Sequence, residues 1–463
     1  MIRIAFHTLG CKVNQYESEA LMEAFVKRGA EIVSENDSAD VYVVNTCSVT
    51  SIADRKSRQY IRRMKKNNPY ALMVVTGCYA QVSAEELEKM PDVDLIIGNN
   101  LKAEIPDRVF ALLEEQENHV ADEQYERVTR TEVLAYKDLR GYEDMGIVTA
   151  SESEMSRAYI KIQEGCNRFC SYCLIPYARG VVRSRKLESI IEEAKMLLSK
   201  GFREIVLTGI NTALYGAEKD FDFDREPGEE ELSGLEALIK RLDAIDGTFR
   251  IRLSSLEPTV VDIEHIERIV QYDKLCHHLH LSLQSGSNKI LDSMNRHYSR
   301  EDYFRIVSAL RDFDPNFGIT TDIIVGFPGE TEEDFLDSID AVKRSEFGKV
   351  HAFRYSVRKG TKAATFADMV SGKTKGDRAS RLETVATDVA LDFHRRNLDQ
   401  TQVLLAEQHE DGMVTGYTGN YIKVYIPDPT ASICVGEFYS VRLVEIYKDG
   451  CLAEVTGKGV NHE

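Results

Sequence analysis

Arg157-Ala158-Tyr159-Ile160-Lys161-Ile162-Gln163-Glu164-Gly165-Cys166-Asn167-Arg168-Phe169-Cys170-Ser171-Tyr172-Cys173 runs from an apolar strand pattern straight into a CxxxCxxC motif. The strand opens a region in which strand and helix patterns alternate for six rounds, with strand candidates at 158–162, 204–207, 249–253, 278–283, 318–325 and 350–355. Six rounds are too few for an eight-stranded barrel. An open, partial (β/α)6 barrel gathers the carboxyl ends of its strands around one bowl, where βα folds place their chemistry. The cysteine run leaves the first of those ends.

Upstream, residues 2–7, 41–44 and 72–75 read as buried parallel strands, and 17–27, 53–64 and 84–90 as the helices between them. Residues 1–105 therefore form a wound parallel α/β domain. Residues 106–153 read as an acidic linker, with Glu114, Glu115, Glu117, Asp122, Glu123 and Glu126 and some helix at the start. Residues 154–385 hold the partial barrel, and the acidic insert 218–231, with Pro227-Gly228, reads as a solvated loop. After a helix at 375–398 come short strands at 403–407, 413–417, 421–426, 438–445 and 452–455. Turns at Gly412, Gly419-Asn420, Asp428-Pro429 and Asp449-Gly450 separate them. Residues 386–463 are thus a small β-barrel with its leading helix, a shape that often binds single-stranded nucleic acid and that can also be a structural cap. The fold class is α/β with this β-domain appended.

Composition bounds the rest. The 463 residues and 52.4 kDa suggest about three domains. A net charge of −18 argues against indiscriminate coating of nucleic acid, so any RNA site needs locally clustered cations. The start lacks a secretory pattern, and no window approaches the roughly 18 uncharged apolar residues of a membrane span. A cytoplasmic protein is expected. There, nine cysteines serve as ligands, nucleophiles or packing residues rather than disulfides.

Three thiolates at Cys166, Cys170 and Cys173 leave one iron of a cubane cluster without a protein ligand. A small molecule bearing an amine and a carboxylate, such as the methionine end of S-adenosylmethionine, can chelate that iron. A zinc site with a distant fourth ligand is the alternative. The second constellation is dispersed: Cys11, Cys47 and Cys78 each stand just past a strand and before a helix, in Thr8-Leu9-Gly10-Cys11, Asn45-Thr46-Cys47 and Thr76-Gly77-Cys78. Those three loops meet at one sheet edge, so the thiols should converge. Any one of them alone would read as a small buried hydrophobe. Cys276, Cys434 and Cys451 share no such context and read as packing residues.

His278 and His280 fall on one strand face, and with no matching carboxylate pattern they read as ordinary strand histidines. Cations cluster twice. Arg55, Lys56, Arg58, Arg62, Arg63, Lys65 and Lys66 share one helix, and Arg179, Arg183 and Arg185 follow the cysteine loop. Two basic patches near two cysteine sites, in an acidic chain, point to a docked polyanion.

The two cysteine triads and the terminal β-domain together resemble the methylthiotransferases of the radical S-adenosylmethionine superfamily over nearly the whole chain. The family's amino-terminal domain, radical domain and small β-barrel, called TRAM, match the three segments in order. Thr8-Leu9-Gly10-Cys11-Lys12-Val13-Asn14-Gln15 and Asn45-Thr46-Cys47-Ser48-Val49-Thr50 are similar to the branch that modifies N6-threonylcarbamoyladenosine at tRNA nucleotide 37. The resemblance implies a 4Fe-4S cluster on each triad. It also implies an S-adenosylmethionine pocket drawn from Thr208, Gly209, Ser254, Glu257, Gln284, Asp322 and Gly326. It implies a radical that takes hydrogen from carbon 2 of the adenine, since an aromatic C–H is far too weak an acid for side-chain bases. Arg55, Arg58 and Arg62 would hold the tRNA anticodon stem-loop, and Arg358, in the motif Tyr355-Ser356-Val357-Arg358-Lys359-Gly360-Thr361, would bind near the pocket. The partners implied are that RNA and a reductant such as a flavodoxin or ferredoxin, with no membrane. The rivals are the same chemistry on isopentenyladenosine tRNA or a ribosomal protein, and a non-catalytic iron–sulfur or zinc RNA-binding sensor.

Overall fold

Central strands of a parallel sheet are covered on both faces, so they must be apolar throughout. In the computed structural model, Val41–Thr46 and Leu72–Gly77 are such strands, buried at every position. The structure describes residues 1–118, 128–146, 156–221, 223, 225–229, 231–258, 263–428 and 431–459. Asp122, Glu123 and Glu126 of the expected linker and Pro429 of an expected turn lie outside them. The chain packs as two compact units: one holds Met1–Ser151, Gln163–Arg185 and Ser356–Ala364, the other Glu152–Ile162, Lys186–Tyr355 and Thr365–Glu463.

The first unit is built on six parallel strands in the order Glu31–Val33, Arg3–Thr8, Val41–Thr46, Leu72–Gly77, Leu95–Ile97 and Arg130–Glu132. Alternation sends Tyr42, Val44, Met73 and Val75 to one face, with Ile61 and Met64, and Val41, Val43, Leu72 and Val74 to the other, with Leu21, Phe25, Ile105 and Val109. Helix Ser51–Asn67 starts where the Thr50 side chain accepts from the Ala53 amide, and it buries Asp54, Ser57, Ile61 and Met64 at helical spacing. Its Arg55 and Arg62 face outward.

Residues 106–153 are not merely a linker. Helix Ile105–Asn118 packs on the sheet, and Arg130–Glu132 adds an edge strand, with Arg130 paired to Glu115 at 2.6 Å. A short, polar edge strand carries no apolar periodicity, which is why the pattern missed it. Glu31–Val33 and Leu95–Ile97 are too short, at three residues each, to have been read as strands.

In the second unit the six expected barrel strands are Arg157–Lys161, Glu204–Thr208, Arg250–Leu253, His278–Leu281, Gly318–Val325 and Lys349–Arg354. The first three form one parallel sheet. The last three, with Ser255–Leu256, form another, and a bridge between Ile251 and Leu275 links the two. Among the described residues the outermost strands do not pair with each other, so the arc stays open. The acidic insert is not wholly solvated: Glu229 is fully buried and accepts from Arg241 at 2.8 Å, pinning the loop to helix Gly234–Asp243.

After helix Gly372–Arg396 the chain closes a five-stranded barrel in the order Thr401–Glu410, Met413–Thr418, Lys423–Pro427, Gly450–Lys458 and Phe438–Tyr447. Cys451 fills its core and Cys276 is also buried, whereas Cys434 is exposed in the turn that Asp428 shapes through the Ser432 and Ile433 amides. Among the described residues, no helix is long and apolar enough to cross a membrane.

The small barrel seats on the amino-terminal ends of the arc through a buried charge network. Arg250 donates to Tyr417 O at 3.0 Å, Arg252 to Thr418 O at 3.1 Å, and Arg157 pairs with Glu407 at 2.7 Å. Fully buried Glu204 pairs with both Arg250 and Arg252. Burial alone would raise its pKa, but the two arginines drive it far below the usual carboxylate range. Removing one member of such a network costs about 3–5 kcal/mol. Glu204→Gln should therefore lower the unfolding free energy of this unit, read from a urea titration at pH 7, by about that margin. Because the folded pKa is depressed, the charge term is complete above the unfolded value of about 4.3 and drains as pH falls below it. The gap between parent and variant should shrink in acid.

Candidate active site

Parallel strands release their chains at one edge, and the three strands that precede Cys11, Cys47 and Cys78 are adjacent, with Thr8 opposite Asn45 and Thr46 opposite Gly77. Cys11 caps helix Lys12–Lys27, Cys47 follows Val41–Thr46 directly, and Cys78 begins helix Cys78–Val82. Side chains stitch the loops together. Asn14 donates to Leu9 O at 2.7 Å and Thr46 O at 3.0 Å, Asn45 to Asn14 O at 3.0 Å, and Thr46 to Thr76 O at 2.5 Å. Gly10 and Gly77 have φ of +110° and +94°, and a Cβ on them would lie 2.8 Å from Cys47 Cβ and 2.4 Å from Thr46 O. Only glycine permits both the conformation and the approach.

The three thiols sit within mutual electrostatic reach. Burial first, then Cys78, pushes Cys47 up to about 12. None of the described cysteines forms a disulfide.

The second triad lies on a loop of the same compact unit. Cys173 N donates to Cys170 O at 2.9 Å, Cys166 N to Gly180 O at 3.0 Å, and Ile175 N to the Cys173 sulfur at 3.4 Å. Gly165 repeats the steric theme, since a Cβ there would stand 1.8 Å from Val181 O. All three cysteines are partly exposed. In neither triad do all sulfurs lie within 4.8 Å of one another. Each triad supplies three thiol donors, one fewer than a closed tetrahedral zinc site uses and the number that leaves one iron of a cubane without a protein ligand.

Arg179, Arg183 and Arg185 are not a surface patch. All three are buried. Arg183 donates to Leu139 O at 2.8 Å and Arg185 to Tyr16 Oη at 3.1 Å. Arg179, at the end of helix Ile175–Arg179, faces Glu17, Glu164, Asn14 and Cys78. Burial would lower its pKa, but Glu17, Cys78 and Glu164 raise it well above the ordinary value. Buried Lys102 completes the group through an ion pair with Glu17. Arg358 is likewise turned inward, to Asp54 at 2.6 Å and Ser48 at 2.7 Å, where it secures the residue after Cys47. On helix Ser51–Asn67, Arg58 is half-buried and donates to Tyr79 Oη at 2.6 Å, leaving Arg55 and Arg62 as its outward cations among the expected three.

The expected cofactor residues stand at or past the carboxyl ends of the second unit's strands, except Asp322, which lies within Gly318–Val325. Thr208 ends its strand, Gly209 follows, and Ser254 lies just past Arg250–Leu253 with its buried Oγ lacking a hydrogen-bond partner among the described residues. Such a hydroxyl needs a ligand or water. Gln284, at φ +68°, exchanges main-chain hydrogen bonds with Asp322 O at 2.8 Å and Ile324 N at 2.9 Å. Gly326 donates to Glu330 at 2.7 Å, and Glu257 accepts from Asn211 at 2.9 Å beside Arg296.

The carboxylate missing from the histidine reading is Asp322, 3.2 Å from His280 Nε2, while His280 Nδ1 meets Thr320 at 3.0 Å. With His351 they form a polar trio whose ligand atoms lie within 4.8 Å, a spacing one metal ion could span. His278 stacks instead on Tyr421.

Sequence reading missed Asn14, Glu17 and Glu164 altogether. Their signal is faint: the dipeptide Gly-Cys at 10–11, 77–78 and 165–166 marks three strained loops that need side chains to hold them.

Residues 3–98 match the Uncharacterized protein family UPF0004 and residues 160–342 the Radical SAM superfamily. The chain is 39% identical over 465 residues to the threonylcarbamoyladenosine tRNA methylthiotransferase MtaB of Bacillus subtilis (strain 168), covering 98% of this chain and 97% of that one. It is 39% identical over 435 residues to the protein of the same name from Aquifex aeolicus, covering 92% and 100%. A Clostridium botulinum (strain Langeland) tRNA-2-methylthio-N(6)-dimethylallyladenosine synthase is 35% identical, with 95% and 93% covered. Among solved structures, the radical S-adenosylmethionine methyltransferase TsrM from Kitasatospora setae superposes with a TM-score of 0.52 at 14% identity, over 76% of this chain and 73% of that one, a likeness of fold. The paired cysteine sites, the open barrel and full-length identity converge: the chain belongs to the radical S-adenosylmethionine methylthiotransferase family, in its MtaB-like branch.

Proposed function

We propose that the chain converts N6-threonylcarbamoyladenosine at tRNA nucleotide 37 to its 2-methylthio derivative in the cytoplasm. In this reading Cys166, Cys170 and Cys173 hold one 4Fe-4S cluster, and Cys11, Cys47 and Cys78 hold a second. S-adenosylmethionine lies against Thr208, Gly209, Ser254, Glu257, Gln284, Asp322 and Gly326. The observation that carries it is the gathering of two triads, distant in sequence, into one compact unit of a chain that matches such enzymes end to end.

When bound, these groups supply one-electron chemistry and a transferable sulfur, which an aromatic C–H substitution requires and no side-chain base provides. The protein's own residues hold and shield. Gly10, Gly77 and Gly165 allow the close backbone approaches beside Cys11, Cys78 and Cys166, Asn14 and Thr46 keep three loops at fixed spacing, and Arg179 balances thiolate charge. Ser254 Oγ offers a buried hydrogen bond to the cofactor. Arg55 and Arg62 present charge to phosphates, and the terminal barrel offers a nucleic-acid-binding shape. A flavodoxin- or ferredoxin-like protein would deliver the electron.

Four measurements test this. Anaerobically reconstituted protein should hold two clusters' worth of iron. Replacing Cys11, Cys47 and Cys78 by Ala should halve it, and replacing Cys166, Cys170 and Cys173 should halve it and also abolish deoxyadenosine formation. A non-catalytic sensor would form no deoxyadenosine at all. Mass spectrometry of tRNA nucleosides from cells lacking the gene should show loss of the methylthio form of threonylcarbamoyladenosine. Loss of the isopentenyladenosine form instead would transfer the assignment to the substrate named for the Clostridium relative. Arg55→Ala with Arg62→Ala should weaken tRNA binding and flatten its log–log salt slope by about 1 for each phosphate no longer neutralised.

A further inference from the structure

Arginine has five N–H donors in a rigid plane, and burying them demands five acceptors. Arg179 is fully buried and has them all. Nη1 donates to Glu17 Oε1 and Glu164 Oε1, each at 2.6 Å. Nη2 donates to Asn14 Oδ1 at 2.5 Å and Glu17 Oε2 at 3.0 Å, and Nε donates to Cys78 Sγ at 3.4 Å. The helix that carries it starts two residues after Cys173, whose sulfur accepts from Ile175 N. From the opposite side, Asn99 Nδ2 ties that helix down through Ala178 O at 2.8 Å and lies 3.9 Å from the same Cys78 sulfur. One short helix therefore spans from the last ligand of the second triad to the last ligand of the first.

We propose that Arg179 is a positioning residue for the Cys11, Cys47 and Cys78 site: its Nε–H and positive charge fix the Cys78 thiolate and raise the reduction potential of the cluster bound there. The proposal rests on reading that triad as a cluster site. Its physical basis is general. Reduction adds negative charge, and a hydrogen-bond donor on a ligand sulfur stabilises the reduced form more than the oxidised form. Glu17 and Glu164 would cancel this charge if they were unpaired, but Lys102 pairs with Glu17, and Arg183 lies 3.5 Å from Glu164. The guanidinium thus stays effective towards sulfur. A role confined to packing would leave the potential unmoved.

The test uses the full chain with Cys166, Cys170 and Cys173 replaced by Ala, so that only the first triad can contribute a signal. After anaerobic reconstitution, iron is counted and the midpoint potential is read by electron paramagnetic resonance during a reductive titration. Arg179→Lys keeps a cation between the glutamates but has no Nε–H at the sulfur, so it should retain the parent's iron content and circular dichroism yet titrate at a lower potential. Arg179→Met, lacking the charge as well, should titrate lower still. It leaves two buried glutamates short of a partner, so the lysine variant decides the matter if the methionine variant does not fold. A lysine variant with the parent's midpoint overturns the proposal. A parent chain that binds no iron at the first triad overturns instead the reading on which the proposal rests.

Discussion

A guanidinium buried away from solvent holds only if every donor finds an acceptor, and Arg179 finds its acceptors on helix Lys12–Lys27, strand Gln163–Glu164 and Cys78. That single demand ties the cysteine loop at 166–173 to the sheet that bears the other three thiols. It also explains why the first compact unit is discontinuous in sequence. Gln163–Arg185 lies with the amino-terminal sheet although the strand before it, Arg157–Lys161, belongs to the second unit. The family boundary and the packing boundary therefore differ.

The second unit has a division of labour along its strands. Amino-terminal ends carry the Glu204, Arg250 and Arg252 network on which the small barrel sits. Carboxyl ends carry Thr208, Ser254, Gln284 and Gly326, of which the buried Ser254 Oγ lacks a hydrogen-bond partner among the described residues. The buried ion pairs thus gather at one end and the expected cofactor residues at the other, the division general to βα folds.

Most elements were readable because their periodicity is strong. The six barrel strands, the long helix before the terminal barrel and its five strands all stand within a few residues of expectation, since long apolar or alternating runs leave few alternatives. The edge strand Arg130–Glu132 and the buried Glu229 were not readable. One is held by sheet edge and ion pair, the other by Arg241, and neither kind of partner leaves a local pattern.

For the candidate site, the strand-end positions of Cys11, Cys47 and Cys78 and the grouping of Cys166, Cys170 and Cys173 on one loop were legible from spacing alone, because both are properties of short segments. The fate of the arginines was not. Arg55 and Arg62 remain outward as their helix pattern implied, whereas Arg179, Arg183, Arg185 and Arg358 turn inward to carboxylates, carbonyls and hydroxyls drawn from elsewhere in the chain. A cation's sequence neighbours say that it is charged. Only the folded chain says whether an acid far away has been brought close enough to bury it.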